Sequence, residues 1–313
     1  MAQAQSVSSK STQVNGVPES RIRRWLSSDN PWVWLSPAIV MLFLYSIFPL
    51  FYNIAISLQE WSTRQKLFIP KGLENWEKLF FTDARMGNAL GVTLQYTFLA
   101  LIIEMLLGLV IALIMDAKPW GSGVMQTLLI LPMVTAPAVG GLMFRLLEHS
   151  EFGVISWIFY SLGLLVKEEP LLGGTGKFAL WGVLIVDIWQ WTPFFVLIIL
   201  AGLKGVPEDI IEASQVDGAN YWQRLTRIKI PLLFSVITIA VLFRLVDLYK
   251  IFDYIAIMTS GGPGGHTETI SFYSYVNTFQ LIKWGYGAAI GVFVMAMGWV
   301  SAFLYQRIFR VRW

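Results

Sequence analysis

The 313-residue chain contains no cysteine and only two histidines. A disulfide framework, a thiolate metal site and a cysteine nucleophile are therefore excluded, and no bridge reports the redox state of its compartment. Charge is also scarce: 14% of residues are Asp, Glu, Lys or Arg, against 56% hydrophobic, with 14 Trp and 21 Phe. A water-soluble domain cannot hide that much apolar surface in one core, so the bilayer is the natural solvent. A formal net charge of +3 is too small for a nucleic-acid footprint. The two histidines, His149 and His266, stand apart with no partner at ligand spacing, and no bound metal is expected.

Apolar stretches long enough to cross roughly 30 Å of hydrocarbon run over residues 33–57, 91–115, 124–147, 178–202, 231–257 and 284–307. The first begins at Pro31 and has no small-residue cleavage site after it, so it reads as a retained helix and not a removed signal peptide. The expected fold is an all-α integral membrane protein with six transmembrane helices over residues 31–313, preceded by a Ser/Gln-rich, disordered tail over residues 1–30. Six spans put both ends on one side. That side carries 12 Lys/Arg and 7 acids, the other 8 and 9. Clusters at Arg21, Arg23 and Arg24 and at Arg307, Arg310 and Arg312 make the termini cytoplasmic, together with a polar insertion between the fourth and fifth spans. On the opposite side, Phe152–Val166 is apolar but too short to span and is expected to lie in the interface.

That insertion, residues 205–230, reads as two short helices meeting at a glycine. Pro207 suits a first helical position, Glu208 and Asp209 suit the positive end of the helix dipole, and Gly218 suits a left-handed cap. Asn220 with Gln223 has capping-box spacing, and Pro231 marks the turn into the next span. Glu212 and Asp217 supply charge, Ala213 and Ser214 keep the centre small, and Tyr221 and Trp222 supply anchors.

Glu212-Ala213-Ser214, then three residues, Gly218, nine residues and Ile228-Lys229-Ile230-Pro231 resemble the EAA loop of ABC importer permeases. Asp217-Gly218-Ala219 resembles the DGA usual in sugar permeases, with Ser214 and Ile230 as mild departures. The segment LYKIFDYIAIMTSGGPGGHTET (Leu248 to Thr269) and the first, third and fourth spans are also similar to carbohydrate permeases of the maltose and glycerol-phosphate type. The resemblance implies a bacterial inner-membrane subunit that pairs with a second, homologous permease and receives a sugar from an extracytoplasmic binding protein. It further implies that Glu212, Ala213, Ser214, Asp217, Gly218, Ala219, Tyr221 and Trp222 dock on one of two cytoplasmic ABC ATPases. ATP and magnesium would be used by that partner, with no cofactor and no catalysis in this chain. GGTGKF (Gly173 to Phe178) fails as a phosphate loop, because Leu171 stands where its first glycine should be and Phe178 where the magnesium-binding hydroxyl should be.

Polar side chains inside spans are costly and default to functional candidates. Asp187, Gln190, Trp191 and Phe194 share one helical face of the fourth span, a mixture of acceptor, amide and aromatic plane that suits a sugar. In the fifth span Arg244, Asp247, Leu248 and Ile251 nearly share a face. Arg244 and Asp247 are open to two readings: holding a hydroxyl or acidic sugar, or neutralising each other as a structural pair. Glu104 in the second span is read as satisfying a neighbouring helix. An ion-coupled carrier would use Asp187, Arg244 and Asp247 as a relay but leaves the insertion without a role. A membrane enzyme should show several carboxylates or histidines gathered at a water-facing edge, or an Asp-rich metal motif, and the sequence shows neither pattern.

Overall fold

A long apolar segment in hydrocarbon must satisfy its backbone N–H and C=O groups within itself, which selects helix. The structure, a computed structural model, describes residues 31–166 and 169–309. The expected tail over residues 1–30, with Arg21, Arg23 and Arg24, and the terminal Arg310 and Arg312 lie outside them. In chain order the principal helices are α1 Pro31–Ser57, α2 Ala84–Asp116, α3 Ser122–Val134, α4 Pro137–Leu147 and α5 Val154–Ser161. They continue with α6 Ala179–Lys204, α7 Glu208–Val216, α8 Tyr221–Leu248, α9 Ile270–Tyr275 and α10 Trp284–Phe309. Between α1 and α2 a hairpin pairs β1 Gln59–Ser62 antiparallel with β2 Leu67–Pro70. The chain divides into two units, residues 1–52 and 53–313. In the first, the described residues are helical and make up most of α1; the packing and the site described below are those of the second.

Among the described residues α1, α2, α6, α8 and α10 are each long and apolar enough to cross a membrane. The stretch expected as a continuous third span is instead two helices, α3 and α4, bent by 98° at their junction. Thr135 and Ala136 are extended there, and Pro137 both withholds its N–H and forces the preceding residue out of the helical region. Helix α2 starts at Ala84, two turns before the expected position 91, because Asp83 caps it by accepting the amides of Arg85 and Met86. Helix α8 starts inside the insertion at Tyr221 and stops at Leu248, short of the expected 257; after a break at residues 249–252 the chain is helical again over residues 253–259 and then enters a glycine-rich loop.

Helix α6 forms the core of the unit, buried at most positions along its length. Helix α2 lies against it so closely that a Cβ on Gly108 would fall 2.3 Å from Phe195 Cβ and 3.3 Å from its backbone. Only glycine permits that approach. Above it Tyr96, Val183, Leu184, Leu248 and Tyr254 form one apolar cluster, and below it Ala112, Phe195, Ile199 and Leu233 form a second. A third, at the start of α2, gathers Met86 and Ala89 with Ile270 of α9 and Tyr286 of α10.

Candidate functional site

Between the first two clusters sits a buried ion network. Arg244 of α8 meets Glu104 of α2 side-on, with Nε donating to Oε2 and Nη2 to Oε1, both at 2.8 Å. Nη2 also donates to Asp187 Oδ1 of α6 at 2.6 Å, and Nη1 to Asp247 Oδ2 at 2.8 Å. Glu104 and Asp187 are completely buried and Arg244 is 2% exposed, whereas the Asp247 side chain is 45% exposed. Charges at such depth cost several kcal/mol each unless closely paired, and here one guanidinium bridges three helices. Its central carbon lies over the Trp191 ring, 4.6 Å from the centroid.

Asp247 and Trp191 open onto a groove of about 510 Å³ whose walls include Phe194, Phe243, Arg244 and Lys250. Four of the residues expected to face substrate, Trp191, Phe194, Arg244 and Asp247, therefore line one groove. The other four lie elsewhere. Asp187 is behind Arg244 and reaches the groove only through it. Gln190 is buried, donating to the Thr135 carbonyl at 2.7 Å and accepting from the Tyr254 hydroxyl at 2.8 Å, so it braces the α3–α4 bend. Leu248 is fully buried in the core, and Ile251 packs against that core from its edge. Trp189 packs on Phe144, Tyr249 shares a hydrogen bond with Ser301, and Lys250 lies 3.9 Å from Asp247.

The knuckle at α7 and α8 is built from local signals. Pro207, expected at the first helical position, is extended and stands one residue before it, making no side-chain cap to the first turn, which holds Glu208 and Asp209. At its end Ala219 N–H donates to the Ser214 carbonyl at 2.9 Å and Gly218 N–H to the Gln215 carbonyl at 3.0 Å, with Gly218 at φ +77°. This is a Schellman cap, which needs a left-handed residue where Gly218 stands. Asn220 and Gln223 close the capping box with bonds of 2.9 and 2.8 Å. Ser214 is buried and donates to the Ile211 carbonyl, Glu212, Ala213 and Asp217 are exposed, and Ala219 is half-buried. Val216, Tyr221 and Trp222 project 89%, 52% and 69% of their surface outward. A Lys229–Asp116 ion pair of 2.6 Å ties the foot of α8 to the end of α2, beside a polar cavity of about 620 Å³ that Glu212 also lines.

At the end of the unit farthest from the knuckle are polar contacts that residue spacing alone does not foresee. Burial would raise the Asp83 carboxyl, but hydrogen bonds from the Tyr273 and Tyr286 hydroxyls and from the Met86 and Arg85 amides outweigh it, and the net shift is downward. Arg85 forks onto Glu268 with two bonds of 2.7 Å. Glu148, at the end of α4, is 1% exposed with neither carboxylate oxygen hydrogen-bonded among the described residues, and burial pushes its carboxyl up to about 9. Asp83 carried a sequence signal as an N-cap; its tyrosine partners lie about 190 positions away and carried none.

Residues 104–312 match the family described as the binding-protein-dependent transport system inner membrane component. The chain is 36% identical over 299 residues to a probable ABC transporter permease protein, y4oQ, of Sinorhizobium fredii, covering 93% of both chains. It is 30% identical over 285 residues to the trehalose/maltose transport system permease protein MalF of Thermococcus litoralis, covering 90% of this chain and 94% of that one. A crystal structure of a bacterial ABC transporter involved in the import of the acidic polysaccharide alginate has the same fold, with a TM-score of 0.76, 21% identity, and coverage of 92% of this chain and 96% of that one.

Proposed function

The chain belongs to the family of binding-protein-dependent transport system inner membrane components, and from that membership we propose that it forms part of the translocation pathway for a sugar, oligosaccharide or polyol. It does so in the bacterial inner membrane with both termini cytoplasmic, the bent α3–α4 pair counting as the third of six spans. A second permease, two cytoplasmic ATPases that consume ATP with magnesium, and an extracytoplasmic binding protein complete the importer.

The observation that carries this reading is the continuity of α8. Its first residues, Tyr221 and Trp222, are exposed in the knuckle, and near its other end are Arg244 and Asp247 at the groove. The 22 residues from Trp222 to Arg244 span about 33 Å at 1.5 Å per residue. An ATPase gripping the capped knuckle through Glu212, Val216 and Trp222 moves one end of a lever. The other end carries a groove wall, so closure of the ATPase dimer is transmitted as helix rocking. Substrate is a sugar on this reading because the groove sets aromatic rings beside a carboxylate: the rings take C–H faces, and Asp247 accepts hydroxyls. Kinship with a protein named for trehalose/maltose transport agrees with that choice. An ion-coupled carrier would need the Arg244 network but has no use for an exposed, doubly capped knuckle.

The test is uptake in proteoliposomes containing the assembled transporter. Gly218→Asp puts a side chain at φ +77° and a charge on the docking surface. The variant is expected to insert normally, lose co-purifying ATPase and lose uptake. Trp191→Ala is expected to weaken uptake by about tenfold, the equivalent of about 1.4 kcal/mol of lost sugar contact, while the ATPase stays bound. Normal uptake in Gly218→Asp would remove the coupling role.

A further inference from the structure

The accessible chemistry of the groove is narrower than its residue list suggests. A carboxylated sugar would be recognised by a guanidinium presenting two parallel N–H groups, and among the described residues Arg244 is the groove's one guanidinium. Both of its forked edges are already occupied. Glu104 takes the Nε/Nη2 edge, and Asp187 and Asp247 divide the Nη2/Nη1 edge. Its central carbon lies over Trp191. Of five N–H groups four are used, which leaves a single one and no fork. The remaining cation, Lys250, is 65% exposed and sits 3.9 Å from Asp247, so it is screened by water and already answers a carboxylate. Three carboxylates thus face two cations. Each of those cations is already paired with a carboxylate among the described residues, and the exposed group is the carboxylate of Asp247.

From this saturation we propose that the groove selects uncharged carbohydrates and discriminates against carboxylated ones. Asp247 accepts substrate hydroxyls, Trp191 and Phe194 take the C–H face, and Arg244 serves as the positioning residue that holds Asp247 and Trp191 in place. The inference rests on the groove being the sugar path. It reverses the acidic-sugar reading that a lone arginine at membrane depth invites.

The probes are maltose and trehalose against maltobionate, a disaccharide bearing one carboxylate, taken up by proteoliposomes of the complete transporter. Each uptake rate is divided by the separately measured affinity of the binding protein for the same probe, so that the permease's own preference remains. The neutral sugars are expected to exceed the acid by at least tenfold. Asp247→Asn removes a like charge from the groove and is expected to shrink that ratio by about tenfold, the equivalent of about 1.4 kcal/mol. Lys250→Gln, a change at an exposed position that folding tolerates, is expected to widen it. Equal normalised uptake of acid and neutral sugar, or a ratio indifferent to both substitutions, overturns the proposal while leaving the sugar path standing. Failure to take up any carbohydrate, with Trp191→Ala also silent, removes the sugar path and this inference with it.

Discussion

Glu148 lies where a carboxylate is least comfortable, buried at the end of α4 with both oxygens unpartnered among the described residues. Because burial raises its carboxyl to about 9 from an ordinary 4.5, the folded protein holds a proton there that the unfolded chain has lost. The sign follows from linkage. Its contribution to stability is fully present below the ordinary carboxylate range and is lost as pH rises toward about 9, at no more than about 1.4 kcal/mol per pH unit. Glu148→Gln cannot ionise and should lose less stability between pH 6 and pH 9 than the parent. Thermal unfolding in detergent at the two pH values measures this, and identical losses would mean that the carboxyl is already charged at pH 6. Arg244 is the opposite case, a charge whose burial is compensated by three partners on α2, α6 and α8.

The α2–α6 contact turns on one missing methyl group. At Gly108 an added Cβ meets Phe195 Cβ and backbone, neither of which can swing aside. Gly108→Ala is therefore expected to push the helices apart at a cost of about 1–3 kcal/mol. Trimming Phe195 to alanine should not rescue it, because the clashing Cβ remains. Glu104 stands one turn from Gly108 on the same helix, so the displacement should also loosen the fork on Arg244 and lower uptake. Thermal unfolding and uptake of the single and double variants decide this; full rescue by Phe195→Ala would place the strain further out on the ring. The knuckle is an element of another kind, its stops and caps encoded within a few residues at Pro207, Gly218, Asn220 and Gln223, so it was readable without knowledge of the fold.

For the molecule as a whole, the absence of cysteine is an experimental asset, since any introduced thiol labels against a silent background. Val216→Cys in the knuckle is expected to react with an impermeant maleimide only when the cytoplasmic face is open, and Glu151→Cys, beyond α4, only from outside. Labelling of both from one side would break the six-span arrangement. That arrangement needs the bent α3–α4 pair to cross the membrane as one unit. Its bend is braced by Gln190 between Thr135 and Tyr254, so a helix break here comes with its own support from α6 and from the short helical segment, residues 253–259, that follows α8.

Periodicity, caps and the distribution of Lys and Arg are short-range or additive signals. By itself the sequence therefore determined that the chain is a bundle of apolar helices, that a capped knuckle separates α6 from α8, and that ionisable groups sit at depth in α2, α6 and α8. Which of those groups meet was decided only by the tertiary structure. Glu104, Asp187 and Arg244 are separated by 57 to 140 positions, and no helical spacing relates residues on different helices. The same holds for residues on one face: Asp187 and Gln190 share a helical stripe with Trp191 and Phe194, yet the packing of α2 and the α3–α4 bend buries the first two and leaves the second two in the groove. A helix face is a property of the local chain, whereas what covers it depends on every helix around it.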